Sequence, residues 1–148
     1  MKIGIAADHR GFKIKEELTN YLTNKGYEII SYGNDIYDPL DDYPKYAFTL
    51  GEAVRDKAVD FGIIACGTGV GVCIACNKVK GVRCALVDSV EEAIHTRQDN
   101  NSNIISISEE FEADFIHELV DTFLNTPFSN EERHIRRLKQ IEEYESKC

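Results

Sequence analysis

The sequence predicts an α/β protein in which helices cover both faces of a five-stranded parallel sheet. Short apolar runs rich in β-branched residues alternate with longer segments whose apolar residues recur at helical spacing. No repeat or linker interrupts this alternation. The order is typical of βαβ units with right-handed crossovers, so we expect a three-layer α/β/α sandwich that ends in a long C-terminal helix.

The first predicted strand runs from Lys2 to Ala7, and a polar turn beginning at Asp8 follows it. The next segment has helical spacing, and Gly26 is placed to end that helix. Its predicted buried residues are Ile14, Leu18, Tyr21 and Leu22.

The second predicted strand runs from Glu28 to Tyr32, and the third from Phe61 to Ala65. Between them Pro44 suits the first turn of a helix, because its missing N–H has no partner there anyway. The predicted buried residues of this helix are Ala47, Leu50, Gly51 and Val54.

A glycine-rich turn, Gly67 to Gly71, opens a short predicted helix that continues through Lys78. Strand four is predicted from Val82 to Val87. Ser89 and Glu92 have the spacing of a capping box at the start of the next helix.

The fifth predicted strand is Ile104 to Ile107, and a helix from about Glu112 to Asn125 follows. Ser129 and Glu132 repeat the capping-box spacing, which predicts a final helix reaching toward Tyr144. Ligands of such sheets bind beyond the carboxyl ends of the strands, so we expect the functional residues in the strand-to-helix turns.

The chain has 148 residues, with 17 Lys and Arg against 26 Asp and Glu, and a formal net charge of -9. At this length one core is sufficient, so we expect residues 1–148 to form a single domain. An acidic surface repels phosphodiester backbones and anionic membranes, so nucleic-acid and membrane binding are not expected.

The N-terminal apolar run stops at Asp8, well short of a signal-peptide core or a membrane span, which predicts a cytoplasmic protein. An odd number of clustered cysteines does not resemble a secreted disulfide framework, so reduced thiols are expected. The five are Cys66, Cys73, Cys76, Cys84 and Cys148.

Asp8 and His9 follow the first predicted strand. Such a pair can bind sugar hydroxyls, orient a proton carrier or hold a metal. The equally plausible structural interpretation is an Asp that caps the helix beside a solvated His.

The turn from Cys66 to Gly71 has glycines at three alternate positions, which frees backbone N–H groups to face an anion. It lacks the Gly-Lys-Ser/Thr of a Walker A loop, and Val72 stands where a dinucleotide fingerprint needs its third glycine. Beside these amides Cys66 is favoured as a thiolate, which makes it a candidate base or nucleophile. The alternative is a small buried apolar residue.

Cys73 and Cys76 have redox or zinc spacing, but they lie in an apolar helix without further ligands, which favours core packing. In the final helix, Arg133 and Arg137 are one turn apart and suit a phosphate. On local evidence alone, a solvated charged face is the simpler interpretation of that helix.

Taken together, several motifs give the chain a specific family resemblance over nearly its whole length. The motifs are Asp8-His9-x-Gly11-Phe12, Asp42-Tyr43-Pro44, Cys66-Gly67-Thr68-Gly69-x-Gly71, Asn77-Lys78, Gly81-x-Arg83 and Arg133-His134-x-x-Arg137. In this order and spacing the chain resembles the type B ribose-5-phosphate isomerase family, which is related to galactose-6-phosphate isomerases.

The resemblance implies a Rossmann-like fold, no cofactor and no metal, and a homodimer or homotetramer whose sites are built from two subunits. It also implies the interconversion of ribose 5-phosphate and ribulose 5-phosphate by proton transfer through a cis-enediolate. By resemblance, Cys66 is the base and Thr68 assists proton transfer between the sugar oxygens. The implied substrate-binding residues are Asp8, His9, Tyr43, Gly67, Gly69, Val70, Gly71, Asn100, Arg133, His134 and Arg137, the arginines and His134 binding phosphate from the neighbouring subunit.

Two positions depart from the family pattern. Asp99 stands where the family generally has a His that opens the furanose ring, and Glu110 stands where it often has a phosphate-binding Arg. Asp99 is thus a candidate for ring opening, and Arg10, Arg97 or a partner chain is expected to replace the missing cation.

Three other functions remain open from the sequence. The first is an isomerase of a six-carbon 6-phosphate sugar such as allose or galactose 6-phosphate, which would sometimes require a second related chain. The second is a non-catalytic sugar-phosphate-binding module, motivated by Asp99 and Glu110. The third, and least favoured, is a redox protein that uses Cys73 and Cys76.

Overall fold

The computed structural model describes residues 1–148, and its five strands alternate with helices as the sequence predicts. The strands are β1 (Lys2–Ala7), β2 (Glu28–Ser31), β3 (Phe61–Cys66), β4 (Cys84–Leu86) and β5 (Ile104–Ser108). The helices are α1 (Phe12–Asn24), α2 (Tyr43–Arg55), α3 (Val70–Cys76), α4 (Val90–Asn100), α5 (Ala113–Asn125) and α6 (Glu132–Glu145).

All strand pairs are parallel, and the strand order across the sheet is β2-β1-β3-β5-β4. From β1 the chain moves outward to β2 and then crosses back to β3 on the other side of β1. The carboxyl ends of β1 and β3 therefore form a topological switch point, the position at which open α/β sheets bind ligands.

Each face of the sheet carries its own apolar core. On one face β-strand residues such as Ile5 and Ile63 pack with α1, α5 and Ala93 of α4. On the other face Ala6 and Ile64 pack with α2 and α3. The three central strands are apolar on both faces because both faces are covered, which confirms the predicted three-layer α/β/α fold.

The fourth strand and the third helix are shorter than predicted. Val82 N donates to Val79 O over 3.1 Å, so Val82 belongs to the turn before β4 rather than to the strand. Lys78 N donates to Ala75 O in a tighter three-residue turn, so α3 ends at Cys76. Apolar residues in the turns that connect these two elements made the predicted helix and the predicted strand too long.

One predicted helix cap is confirmed and the other is wrong. Ser89 Oγ accepts from Glu92 N over 3.2 Å at the start of α4, and the Glu92 carboxylate accepts from Asp88 N. Ser129 does not cap α6, whose first flanking residue is Glu131 and has no side-chain cap. Asn130 adopts the left-handed conformation with φ 57°, which turns the chain between Ser129 and the helix.

The five cysteines are all free thiols. None of the helices is both long and apolar enough to span a lipid bilayer.

Candidate active site

The switch point brings together the two turns that the sequence singles out. Ala7 and Ala65 are register partners at the ends of β1 and β3. Adjacent strands lie about 5 Å apart, so the turn at Asp8 and the turn at Cys66 begin side by side. Both open directly into helices, so their polar groups meet at the carboxyl edge of the sheet.

Asp8 organises its own turn. Its Oδ1 accepts from Arg10 N over 2.9 Å and from Gly11 N over 3.1 Å, so it closes the turn before α1 and does not cap the helix, whose first flanking residue is Gly11. Gly11 packs directly on the backbone carbonyl of Ala65, where a Cβ would have no room. The glycine therefore seats the start of α1 against β3, and the Asp8 oxygen that does not serve the turn is left for other partners.

His9 is paired with a buried carboxylate from the loop before α2. Its Nδ1 lies 2.7 Å from Asp41 Oδ1, which also accepts from His9 N over 3.0 Å. Asn34 Nδ2 donates to the second oxygen of Asp41 over 3.0 Å. The hydrogen bond to Asp41 raises the pKa of His9 above its ordinary 6.5.

Asp41 has the opposite shift. Burial by itself raises the pKa of this carboxyl, but the hydrogen bonds from the His9 ring, the His9 backbone and Tyr46 outweigh burial, so the pKa falls below its usual value. The raised pKa of His9 and the lowered pKa of Asp41 are consistent with each other, because each group stabilises the charged form of the other.

Asp8, His9 and Asp41 have one ligand atom each within 4.8 Å of one another. These atoms already hydrogen-bond within the chain, since Asp8 Oδ1 holds the turn and His9 Nδ1 holds Asp41. The group is satisfied as a hydrogen-bonded network and needs no ion to hold it together.

The loop after β3 surrounds the Cys66 sulfur with its own backbone. Gly69 N donates to Cys66 Sγ over 3.1 Å, and Cys66 is only 5% exposed. Gly69 has a left-handed φ of 82°, which turns its N–H back toward the sulfur. Thr68 is exposed beside it, and its Oγ1 accepts from Val70 N over 3.2 Å. Ser108 Oγ donates to Gly67 O over 2.8 Å and fixes the loop to the end of β5.

Two side chains pack against this loop, and each can approach it closely because a loop glycine has no Cβ at the point of contact. A Cβ on Gly71 would lie 2.6 Å from Cζ of Tyr43, and a Cβ on Gly67 would lie 2.8 Å from Cζ of Arg10. Tyr43 and Arg10 therefore cover the loop closely. Arg10 Nε also donates to Glu109 Oε1 over 2.6 Å, and this hydrogen bond raises the pKa of the guanidinium.

A cavity of about 560 Å³ opens next to this arrangement. Its polar lining combines His9, Arg10 and Lys13 with the carboxylates of Glu16 and Glu109. Phe12 and Tyr37 also line it and form an edge-to-face pair with centroids 5.7 Å apart. Cys66 does not line this cavity, so the cavity extends from the His9 side of the site.

The remaining predicted residues form a second cluster where α4 and α6 meet. His134, which is buried, has its Nε2 3.3 Å from Asp99 Oδ1 and 3.3 Å from Arg133 Nε. Asn100 is exposed at the end of α4, and its carbonyl accepts from Arg83 Nε over 3.0 Å. Arg137 lies on the same helix as His134 and is exposed.

This second cluster lies at the opposite edge of the sheet from Cys66 of the same chain. Helix α4 starts at the carboxyl end of β4 and ends beside Ser102, where β5 begins, so Asp99 lies at the amino edge. Glu109 N, at the far end of β5, donates to Cys66 O over 3.0 Å. The intervening five-residue strand spans about 15 Å, so one chain does not join the two clusters.

Arg97 does not compensate for the missing phosphate-binding cation, and that expectation is wrong. Its guanidinium donates to Thr126 O, Asn101 Oδ1 and Ser102 O and stacks on the rings of two phenylalanines, Phe61 and Phe123. The residue is 6% exposed, and burial lowers the pKa of the guanidinium. Arg97 therefore ties α4 to the core.

The sequence did not indicate the roles of Asp41 and Glu109. Asp41 is one of several acids in a polar loop, and nothing in its spacing distinguishes the buried one. Glu109 pairs with Arg10, 99 residues away, which local patterns do not report. The position of Asp41 directly before Asp42-Tyr43-Pro44 was the available signal, since a residue that adjoins a helix start at the carboxyl edge faces the site.

A buried thiol that accepts from a backbone N–H, at the switch point of a doubly wound parallel sheet, defines an α/β protein with a candidate small-molecule site at the carboxyl edge. Comparisons with known proteins then identify the family within this class. The sequence model described as Ribose/Galactose Isomerase matches residues 3–141, and the chain belongs to that family.

Relatives and solved structures agree over the full length of the chain. A Mycoplasma genitalium protein named probable ribose-5-phosphate isomerase B is 41% identical over 145 residues, covering 97% of this chain and 95% of the relative. Clostridium thermocellum ribose-5-phosphate isomerase B has TM-score 0.95 at 38% identity, with 99% of both chains covered. The Mycoplasma genitalium isomerase with bound ribulose 5-phosphate has TM-score 0.94 at 40% identity, covering 99% of this chain and 97% of that one.

Proposed function

We propose that this protein interconverts ribose 5-phosphate and ribulose 5-phosphate. The observation that carries the proposal is the hydrogen bond from Gly69 N to Cys66 Sγ, because it joins the candidate base to the glycine-rich loop at the switch point. The structural relative with bound ribulose 5-phosphate supports the same substrate. An aldose and its ketose are isomers that differ in the positions of two hydrogens, one moved from C2 to C1 and one from O2 to O1, and a thiolate base suits the transfer between the carbons.

In the proposed mechanism the Cys66 thiolate removes the proton from C2 of the open-chain aldose. The electron pair forms the C1–C2 double bond of a cis-enediolate, and negative charge develops on O1. Thr68 helps to move the proton of the O2 hydroxyl to O1, and Cys66 returns the first proton to C1. The carbonyl then lies at C2, so the product is the ketose and the thiolate is regenerated.

The N–H groups of the loop supply the electrostatic part of this mechanism. Among the loop amides expected to bind the enediolate oxygen, those of Gly67 and Gly71 are the proposed donors, because those of Gly69 and Val70 already donate to Cys66 Sγ and Thr68 Oγ1. Preorganised donors of this kind are often worth about 3 kcal/mol each, because the charge they bind develops only in the transition state. Asp8 and His9 would hold sugar hydroxyls, and Tyr43 would line the pocket.

We propose further that a second copy of the chain completes each site. Phosphate binding is assigned to Arg133, His134 and Arg137, and Asn100 and Asp99 belong to the same cluster at the opposite edge of the sheet. A homodimer or homotetramer that places this edge of one subunit against the carboxyl edge of another would unite both clusters twice by symmetry. Arg136 already pairs with Glu132 over 2.7 Å, whereas Arg137 has no ion pair within the chain.

The test is incubation of the purified protein with ribose 5-phosphate, allose 6-phosphate and galactose 6-phosphate in separate samples, followed by NMR. Efficient ketose formation from ribose 5-phosphate supports the proposal. Preferential turnover of a six-carbon sugar would keep the chemistry but replace the substrate. Tight binding of ribose 5-phosphate without turnover would instead favour a non-catalytic sugar-phosphate-binding protein.

A further inference from the structure

The Asp41 carboxylate is buried without a lysine or arginine partner. Its side chain is 0% exposed, whereas that of His9 is 28% exposed. The nearby Lys15 contacts Asp35 and the carbonyl of Asn34 instead. A buried carboxylate needs a compensating positive charge or several donors, and the imidazole of His9 is the group that can supply the charge.

The geometry fixes one ring nitrogen of His9 and leaves the other free. Asp41 Oδ1 receives both the backbone N–H and Nδ1 of the same residue, so the ring is held at two points. With Nδ1 engaged, Nε2 is directed away from Asp41, and His9 lines the cavity of about 560 Å³. Carboxylates that bind one histidine nitrogen in this way set the tautomer and orientation of the ring.

We propose that Asp41 is a positioning residue of the active site: it holds the His9 ring so that Nε2 donates a hydrogen bond to an oxygen of the bound sugar phosphate. This inference rests on the proposed isomerase function and adds a residue and a protonation state to it. The donor is the imidazolium, because Nδ1–H is engaged by Asp41 and only the protonated ring carries a second N–H.

The charged neighbours of the pair determine how it responds to pH. Asp8 and Asp41 favour the imidazolium and Arg10 opposes it, with a net upward shift in the pKa of His9. On the α2 side, the phenol of Tyr46 also hydrogen-bonds Asp41. As pH rises through the pKa of His9, Nε2 changes from donor to acceptor, so KM for the sugar phosphate should rise there.

Asp41→Asn tests this inference because an amide oxygen can still accept from His9, whereas the negative charge is lost. The pKa of His9 should fall toward 6.5, and the rise in KM should move to lower pH by the same amount. At pH 7.5 we expect KM to increase about threefold to tenfold while kcat changes less than about twofold, as loss of binding common to ground and transition states predicts.

Asp38→Asn is the matched control. Asp38 lies in the same loop, where its Oδ1 accepts from Leu40 N over 3.0 Å, and it makes no contact with His9. This variant removes the same charge from the same loop and should leave the pKa of His9 and both kinetic parameters unchanged. The two readouts are an NMR titration of the His9 ring and steady-state kinetics with ribose 5-phosphate from about pH 6 to pH 8.5.

The two readouts separate the inference from the function on which it rests. A parallel shift of the His9 titration and of the KM profile in Asp41→Asn supports the positioning role. A shifted titration with an unchanged KM profile overturns it and leaves the isomerase intact, as does an unshifted titration. Absence of turnover in the unmodified protein with an intact His9 titration overturns the proposed function itself, and the positioning role with it.

Discussion

Gly69 N lies 3.1 Å from Cys66 Sγ, and this hydrogen bond joins the base of the proposed reaction to its anion-binding loop. No other group of the chain hydrogen-bonds this sulfur. The next amide, Val70 N, donates to Thr68 Oγ1, so the left-handed turn at Gly69 holds both the proposed base and the residue proposed to assist proton transfer. The proposed chemistry therefore depends on Gly69 as well as on Cys66.

Cys66→Ala should abolish turnover without unfolding the protein. The substitution removes the group that transfers the C2 proton, and loss of such a base costs at least about 10²- to 10⁴-fold in kcat. Binding of ribose 5-phosphate should change little, because the thiol acts on a proton that moves in the transition state. Steady-state kinetics and calorimetric binding are the measurements.

Cys148→Ser is the control for this variant, since Cys148 is exposed at the end of the chain. It should retain full activity. Substantial turnover in Cys66→Ala would refute the assignment of the base.

Gly69→Ala should damage both stability and catalysis. A Cβ at this position would lie 2.6 Å from Leu86 Cδ1 and 3.1 Å from the Ile107 carbonyl carbon, on a backbone with φ 82°. We expect a loss of about 1–3 kcal/mol in the free energy of unfolding together with a fall in kcat. Chemical denaturation and kinetics measure the two effects.

Gly81→Ala is a matched control, because Gly81 has φ 83° and a Cβ there would meet only Arg55 Cγ at 3.7 Å. This variant has the backbone strain without the steric clash, so we expect it to lose about 1 kcal/mol in the free energy of unfolding and to keep kcat unchanged. Equal losses of kcat in both variants would contradict a special role for the Cys66 loop.

The sequence predicted the fold well because its signals are local. Alternating apolar runs, Pro44 at a helix start and the Ser89 cap each act within a few residues, and each is found in the structure. The Ser129 cap failed because the left-handed turn at Asn130 separates Ser129 from the helix, a backbone choice that the capping-box spacing does not encode.

The candidate site was only partly predictable, because part of it depends on contacts between residues far apart in the sequence. Strand ends and glycine spacing located Cys66 and His9, since switch points depend on topology. Asp41 and Glu109 reach the site through long-range contacts with His9 and Arg10, which no sequence period reports. The motif at Arg133 could be interpreted as a phosphate site only through the family resemblance, because its proposed role requires a second chain.

Mixing Cys66→Ala chains with Arg137→Ala chains tests whether each site is shared between two subunits. Arg137→Ala should raise KM strongly by removing a phosphate-binding cation, and unchanged affinity for inorganic phosphate would count against that role. If Cys66 and Arg137 of one site come from different subunits, Cys66→Ala and Arg137→Ala chains refolded together restore one intact site per mixed dimer. Random pairing predicts about a quarter of the unmodified activity.

The control for the mixing experiment is each variant refolded alone at the same concentration. No recovery in the mixture would contradict the shared site, whereas full activity of Arg137→Ala alone would place Arg137 outside the site.

Cys73 should be a reactive thiol with no part in turnover. Hydrogen bonding from Cys84 is the main cause that lowers the pKa of Cys73 to about 6. At pH 7 about nine-tenths of such a thiol is thiolate, so iodoacetamide should label Cys73 faster than the exposed Cys148. Mass spectrometry of a labelling time course measures this difference.

Cys73→Ser should nevertheless retain isomerase activity, because the residue lies away from the glycine-rich turn after Cys66, on the side of α3 that faces β4. Loss of turnover in Cys73→Ser would revive the redox interpretation of Cys73 and Cys76.

The most direct test of the proposed reaction is to follow ribulose 5-phosphate with the protein in D₂O by NMR. Proton transfer through an enediolate by a single thiolate predicts formation of ribose 5-phosphate and incorporation of deuterium at the exchanging carbons. The unmodified protein should show both, and Cys66→Ala should show neither. Isomerisation that persists in Cys66→Ala, or an unmodified protein that binds ribulose 5-phosphate without exchange or product, would contradict the account.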